Sequence, residues 1–125
     1  MSNFYQDVKH FQTAVGQHIG TEARFPNKGE RSLRMDLLME EVKEYLEGEE
    51  KNDLENVAKE LADIIYIVCG TAVSYGIPLD KVFDEVHRSN MDKLGPDGHP
   101  KRREDGKILK PDGWTPPDIK SLLFK

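Results

Sequence analysis

Between Leu61 and Val73 the chain reads LADIIYIVCGTAV, a run that is apolar almost all round once wound into a helix. Such a helix has no face to give to water and must be covered on every side. The run predicts a helix starting at Asp53, an N-cap candidate, and ending at Tyr75, with Gly76 as its stop. At about 1.5 Å per residue it extends beyond roughly 30 Å, the spine of a small domain. The remainder of the chain has to cover it.

The covering elements are read from spacing. Phe4, Val8, Phe11, Val15 and Ile19 recur at intervals of three and four and predict a helix over 4–19, stopped by Gly20. The segment GTEARFPNKGER at 20–31 has no periodicity and predicts a loop. A second helix is expected from Ser32, as N-cap, to Gly48, as C-terminal glycine. Ile77-Pro78 opens a fourth, with a stripe of Leu79, Val82, Phe83 and Val86. Asn90 follows on that stripe where an apolar residue was due, and Lys93 stands one turn beyond. After Leu94 the stretch GPDGHPKRREDGKILKPDGWTPPDI is a series of turns with no strand pattern. The closing SLLFK is apolar enough to dock back on the body. These elements predict an all-α fold of the four-helix-bundle type. One domain is expected over 1–125, with a helical body at about 4–94 and an irregular arm at about 95–125. Three other helices, one of them short, cover the central one poorly. Homo-oligomerisation is therefore expected, with the contact near Ile64 to Val73.

Composition narrows the partners. A net charge of −5 argues against a general binder of nucleic acid or anionic membranes, which would carry a basic excess. Cys69 is the sole cysteine, so no intramolecular disulfide can form. The run from Ile64 to Cys69 is too short to span a bilayer, and MSNFYQDVKHFQ lacks the apolar core of a signal peptide. A cytoplasmic location is the expectation.

The chemistry is concentrated in acidic residues set within apolar stretches. Glu40, Glu41 and Glu44 lie in MDLLMEEVKEYLEG, and Glu60 and Asp63 in NVAKELADIIYIVCG. Helical neighbours three or four apart share a face, so Glu41 pairs with Glu44 and Glu60 with Asp63. Val57, Ile64 and Ile67 continue the Glu60 row, which should be buried; Glu41 sits among Leu37, Leu38 and Tyr45. Carboxylates are seldom buried unless paired or bound to metal, and two inward-facing pairs would repel without a hard cation between them. Mg²⁺, with Mn²⁺ as a substitute, suits an all-oxygen site. Glu40 alone, beside Lys43 and Glu47, reads as a solvated residue. A di-iron bundle would need Glu-x-x-His on two helices, and only Asp84 and His87 have a comparable spacing.

The second half offers groups suited to a polyphosphate: the Asn90 amide, Lys93, and an arm bearing Arg102, Arg103, Lys107 and Lys110. Taken singly, each of these cations reads as a solvated surface charge, while for Asn90 the two readings are even, because a buried amide needs partners. Trp114 reads as an anchor for the arm, and Tyr66 as core. There is no Gly-rich phosphate loop and no nucleophile–base signature.

The EE-x-x-E stretch at 40–44, followed by E-x-x-D at 60–63, resembles the signature of the all-α nucleoside triphosphate pyrophosphatases. That superfamily includes MazG, the dCTP and dimeric dUTP pyrophosphatases, and phosphoribosyl-ATP pyrophosphohydrolase. From Ala58 to Ile119 the chain is most similar to the MazG-like branch with dUTP-hydrolysing members, through V-H-R-x-N-x-x-K and D-G-K-x-L-K-P-x-G-W. The resemblance implies a homodimer or dimer of dimers that cuts a nucleoside triphosphate, dUTP or a related nucleotide, between its α and β phosphates. It implies Mg²⁺ ligands at Glu41, Glu44, Glu60 and Asp63, with Glu40 as a further or outer ligand and Glu41 as the residue that activates water. Asn90, Lys93, Lys107 and Lys110 would hold the substrate, and Phe11 and Gln12 would help select the base. Two rival readings are a phosphoribosyl-ATP pyrophosphohydrolase and a non-catalytic helical interaction module.

Overall fold

The computed structural model describes residues 3–124. Its elements in chain order are α1 (Phe4–Ala14), α2 (Lys28–Glu50), α3 (Leu54–Tyr75), α4 (Leu79–Met91), β1 (Lys101–Arg102), β2 (Ile108–Leu109) and α5 (Ile119–Leu123). The fold is all-α apart from the two-residue strands. The chain divides into two compact units at Leu79/Asp80, the first holding α1 to α3 and the second α4 with the arm.

In the first unit α3 packs against both α1 and α2. Its ends follow the expected chemistry. Asp53 accepts from Asn56 N at 3.1 Å, and Gly76 closes the helix in the left-handed region at φ 69°. Only glycine suits Gly76, because a Cβ there would collide with the backbone of Glu22. The loop after α1 lies along this end: Gly20 N donates to Val73 O at 2.9 Å and Arg24 N to Tyr75 O at 3.0 Å.

Two helix boundaries differ from the spacing pattern. α1 stops at Ala14, not at Ile19, because Gly16 turns the chain at φ 76° and leaves Val15 exposed. α2 begins four residues before Ser32, capped by Asn27, whose side chain accepts from Glu30 N at 2.8 Å. Gly48 is not the stop of α2 but a buried position within it, where a Cβ would meet Val57 Cγ2 at 3.1 Å. Its small size lets the start of α3 approach.

The core is compact and partly polar. Val8, Cys69, Ala72 and Val73 are its buried apolar residues, and Gln12, Arg34, Glu60 and Ser74 are buried beside them. Arg34 donates from Nη2 to Ile67 O at 2.8 Å and from Nε to Thr71 Oγ1 at 3.0 Å, so its charge is met by α3 dipoles. Gly70 makes room for it: a Cβ there would come within 2.5 Å of both Arg34 Nη2 and Gln12 Oε1. Val57, Ile64 and Ile67, expected to be buried, are half-buried. Leu61, Ile65, Tyr66 and Val68 are exposed on this chain, so Tyr66 is not a core residue here. No single helix among the described residues is long and apolar enough to cross a membrane.

The second unit is more ordered than a run of turns. β1 and β2 form an antiparallel hairpin with Lys101 opposite Leu109. Trp114 anchors the arm to α4, its Nε1 donating to Ser89 O at 2.6 Å. Arg88 adds a second fastening through Glu85 at 2.9 Å, Asp92 at 2.8 Å, and Thr115 Oγ1 and Pro116 O at 3.3 Å. Glu85 also accepts from Asp118 N at 2.6 Å. The Arg88 bond and then the Asp118 amide hold the Glu85 carboxyl well below the usual range, at about 2.

Candidate functional site

The α2–α3 contact brings together Glu41, Glu60 and Asp63. One carboxylate oxygen from each lies within 4.8 Å of the other two. Glu60 is 3 % exposed, while Glu41 and Asp63 are half-buried. Neither Glu41 Oε2 nor Glu60 Oε2 has a hydrogen-bond partner, although both atoms are buried. A buried, unpartnered carboxylate oxygen is expensive unless a proton or cation reaches it. The close Glu60 carboxyl, then burial, then repulsion by Glu60, Glu44 and Asp63 push the Glu41 carboxyl up to about 7. Glu44 is exposed, and repulsion by Glu60 is the largest cause of its upward shift. Glu40 is exposed and stands outside the three-residue cluster.

These donors fit a hard divalent cation. They are all carboxylate oxygens, they converge, and two of them have no other partner. No histidine belongs to the group, as an oxygen-only site requires.

The other expected residues lie in the second unit. Asn90 is exposed rather than core-facing; the buried neighbour is Ser89. Asn90 Oδ1 accepts from Lys93 Nζ at 3.0 Å. Lys93 and Lys110 converge on Trp114, with their ammonium nitrogens 5.7 and 4.6 Å from the ring centroid. Lys107 belongs to the hairpin turn, where its backbone N donates to Asp105 Oδ1 at 3.1 Å, and its side chain is exposed. Phe11 is exposed and meets Tyr66 edge-on at 5.9 Å. Gln12 is buried, donating to His18 O at 3.3 Å and Ser74 Oγ at 3.5 Å.

Two charged residues escaped the sequence reading. Arg34 looks like a surface cation until its position is noted, one turn before Leu37 and Leu38 on the face that carries Glu41. Lys59 reads as a solvated charge, yet its Nζ lies 2.6 Å from Asp63 Oδ2 and 3.5 Å from Glu60 Oε1.

The profile of the phosphoribosyl-ATP pyrophosphohydrolase family matches residues 8–90. The chain belongs to that family. The phosphoribosyl-ATP pyrophosphohydrolases are hydrolases of phosphoric anhydrides within the all-α superfamily that the carboxylate motifs resemble. The family match takes in Glu40, Glu41, Glu44, Glu60, Asp63 and Asn90, and ends before Lys93 and the arm. An uncharacterised protein of Acanthamoeba polyphaga mimivirus is 30% identical over 101 residues, 78% of this chain. The chain spans 38% of the length of that relative. The crystal structure of a candidate NTP pyrophosphohydrolase from Exiguobacterium sp. 255-15 is 29% identical, with a TM-score of 0.47. The similarity covers 96% of this chain and 92% of that one.

Proposed function

We propose that the protein is a Mg²⁺-dependent nucleoside triphosphate pyrophosphohydrolase, cutting between the α and β phosphates of dUTP or a related nucleotide. The observation that carries the reading is the trio Glu41, Glu60 and Asp63, with two buried oxygens left without partners. Glu41, Glu60 and Asp63 would hold the metal, with Glu44 beside Glu60 as a further ligand and Glu40 as an outer partner. When bound, Mg²⁺ supplies charge neutralisation at phosphate oxygens and lowers the pKa of the attacking water.

The side chains account for the remaining steps. Water attacks the α phosphorus, the bond from that phosphorus to the bridging oxygen breaks, and pyrophosphate departs with the electron pair. Glu41 accepts the proton released by water. Asn90, Lys93, Lys107 and Lys110 bind the phosphates and sugar, the lysines offsetting the charge that collects on the leaving pyrophosphate. Catalysis takes place in a homo-oligomer, a dimer or dimer of dimers, of a cytoplasmic enzyme that binds neither nucleic acid nor membrane.

The family match itself favours a second substrate, phosphoribosyl-ATP, for the same bond cleavage. Steady-state assays with Mg²⁺ over dUTP, dCTP, dTTP, ATP and phosphoribosyl-ATP separate the two. The dUTP reading expects the highest kcat/KM on a pyrimidine deoxynucleotide. Preference for phosphoribosyl-ATP would replace it, and release of pyrophosphate from none of them would overturn the enzymatic reading.

A further inference from the structure

Lys59 stands one residue before Glu60 on α3, and its ammonium meets the carboxylate cluster. Its Nζ is 2.6 Å from Asp63 Oδ2, one turn along the helix, and 3.5 Å from Glu60 Oε1. Those partners are two of the three residues in the candidate metal cluster. The opposite oxygen of Glu60 is buried and has no donor, so this carboxylate is bound by a cation through one oxygen and open at the other. Lys59 itself is 68 % exposed.

We propose that Lys59 is a tethered competitor for the divalent ion, neutralising part of the cluster when no ion is bound and giving way when one binds. The inference rests on the metal reading above and concerns how tightly that site holds its ion. An ammonium is a compact point charge on a flexible four-carbon stem. While it bridges Asp63 and Glu60 it occupies acceptor capacity that a hard cation needs. It also repels a second positive charge at close range. Release of the side chain is easy, since an exposed ion pair is weak and water is at hand. Lys59 thus favours the metal-free fold and weakens metal affinity.

The test is isothermal titration of the full chain with MnCl₂, together with the melting temperature in chelator. Lys59→Met is expected to bind Mn²⁺ about two- to fivefold more tightly, the range that an exposed ion pair supports. Its metal-free melting temperature is expected to fall, because Glu60 and Asp63 lose their neighbouring cation. Lys59→Arg keeps the charge and should bind like the wild type. Lys43→Met is the control for a diffuse field, since Lys43 lies two residues from Glu41 and so on another side of α2. It should leave the affinity unchanged. Unchanged or weaker binding in Lys59→Met overturns the proposal, as does equal tightening in Lys43→Met. Absence of Mn²⁺ binding in every protein, wild type included, removes the metal reading and this inference with it.

Discussion

Glu41 on α2 and Glu60 on α3 face each other across the helix contact, each with a buried carboxylate oxygen that no donor reaches. Two like charges placed this way oppose the packing that brings them together. α2 and α3 nevertheless form the main helix contact of the first unit. The fold accepts a local conflict here, which is the pattern expected of a ligand site.

That conflict can be read by calorimetry. Glu60→Gln removes one of the opposed charges, so its metal-free melting temperature should rise above that of the wild type. The same change should abolish the stabilisation produced by Mg²⁺ or Mn²⁺, which comes from binding to the folded state alone. An unchanged Mg²⁺ response in Glu60→Gln would place the metal elsewhere.

Gly70 tests the polar core. Alanine there gains up to about 1 kcal/mol of helix propensity. Its Cβ, however, would press within 2.5 Å of Arg34 Nη2 and Gln12 Oε1, both on buried side chains. Overpacking of this kind costs about 1–3 kcal/mol, so the loss exceeds the gain. Gly70→Ala should therefore unfold at lower urea, and a midpoint at or above that of the wild type would contradict the packing described.

Acid should loosen the second unit. The Glu85 carboxyl is depressed from 4.5 to about 2 by Arg88 and the Asp118 amide. Its contribution is thus present above pH 4.5 and lost as pH falls towards 2. Trp114, the sole tryptophan, lies on the same arm and reports the change by fluorescence. The emission shift over that range should be smaller in Glu85→Gln than in the wild type. Identical acid profiles would remove Glu85 from the fastening.

Self-association is the expectation that the exposed side of α3 raises. Leu61, Ile65 and Val68 recur at intervals of three and four and are exposed on this chain. Phe4, Asp7, Val8, Ala62, Ile65 and Tyr66 line a groove of about 240 Å³ beside α1. Light scattering should give at least twice the chain mass of 14.3 kDa. Ile65→Asp should shift the population towards monomer. A monomeric wild type at micromolar concentration would contradict this expectation.

The main helices were legible because their signals are local. Asp53 and Gly76 bound α3 where the apolar run and a left-handed glycine put its ends. The ends of α1 and α2 were less legible because glycine serves several purposes. Gly16, unremarked in the apolar spacing, ends α1, while Gly48, a plausible stop, is a packing position inside α2. The hairpin was missed because two-residue strands carry no alternation to detect. Face-sharing within each helix pairs Glu60 with Asp63 but also Glu41 with Glu44, and it is the packing of α2 on α3 that draws in Glu41 and leaves Glu44 exposed. The buried seat of Arg34 and the reach of Lys59 could not be read either, since both depend on how α2 and α3 pack and on long flexible side chains.

The central claim is that the anhydride between the α and β phosphates is cut with help from Glu41. Phosphorus NMR of dUTP turned over with Mg²⁺ measures this directly. The spectrum should show dUMP and pyrophosphate in equal amounts, and Glu41→Gln should slow their appearance by about a hundredfold or more. Appearance of dUDP with orthophosphate, or undiminished turnover in Glu41→Gln, would contradict the account.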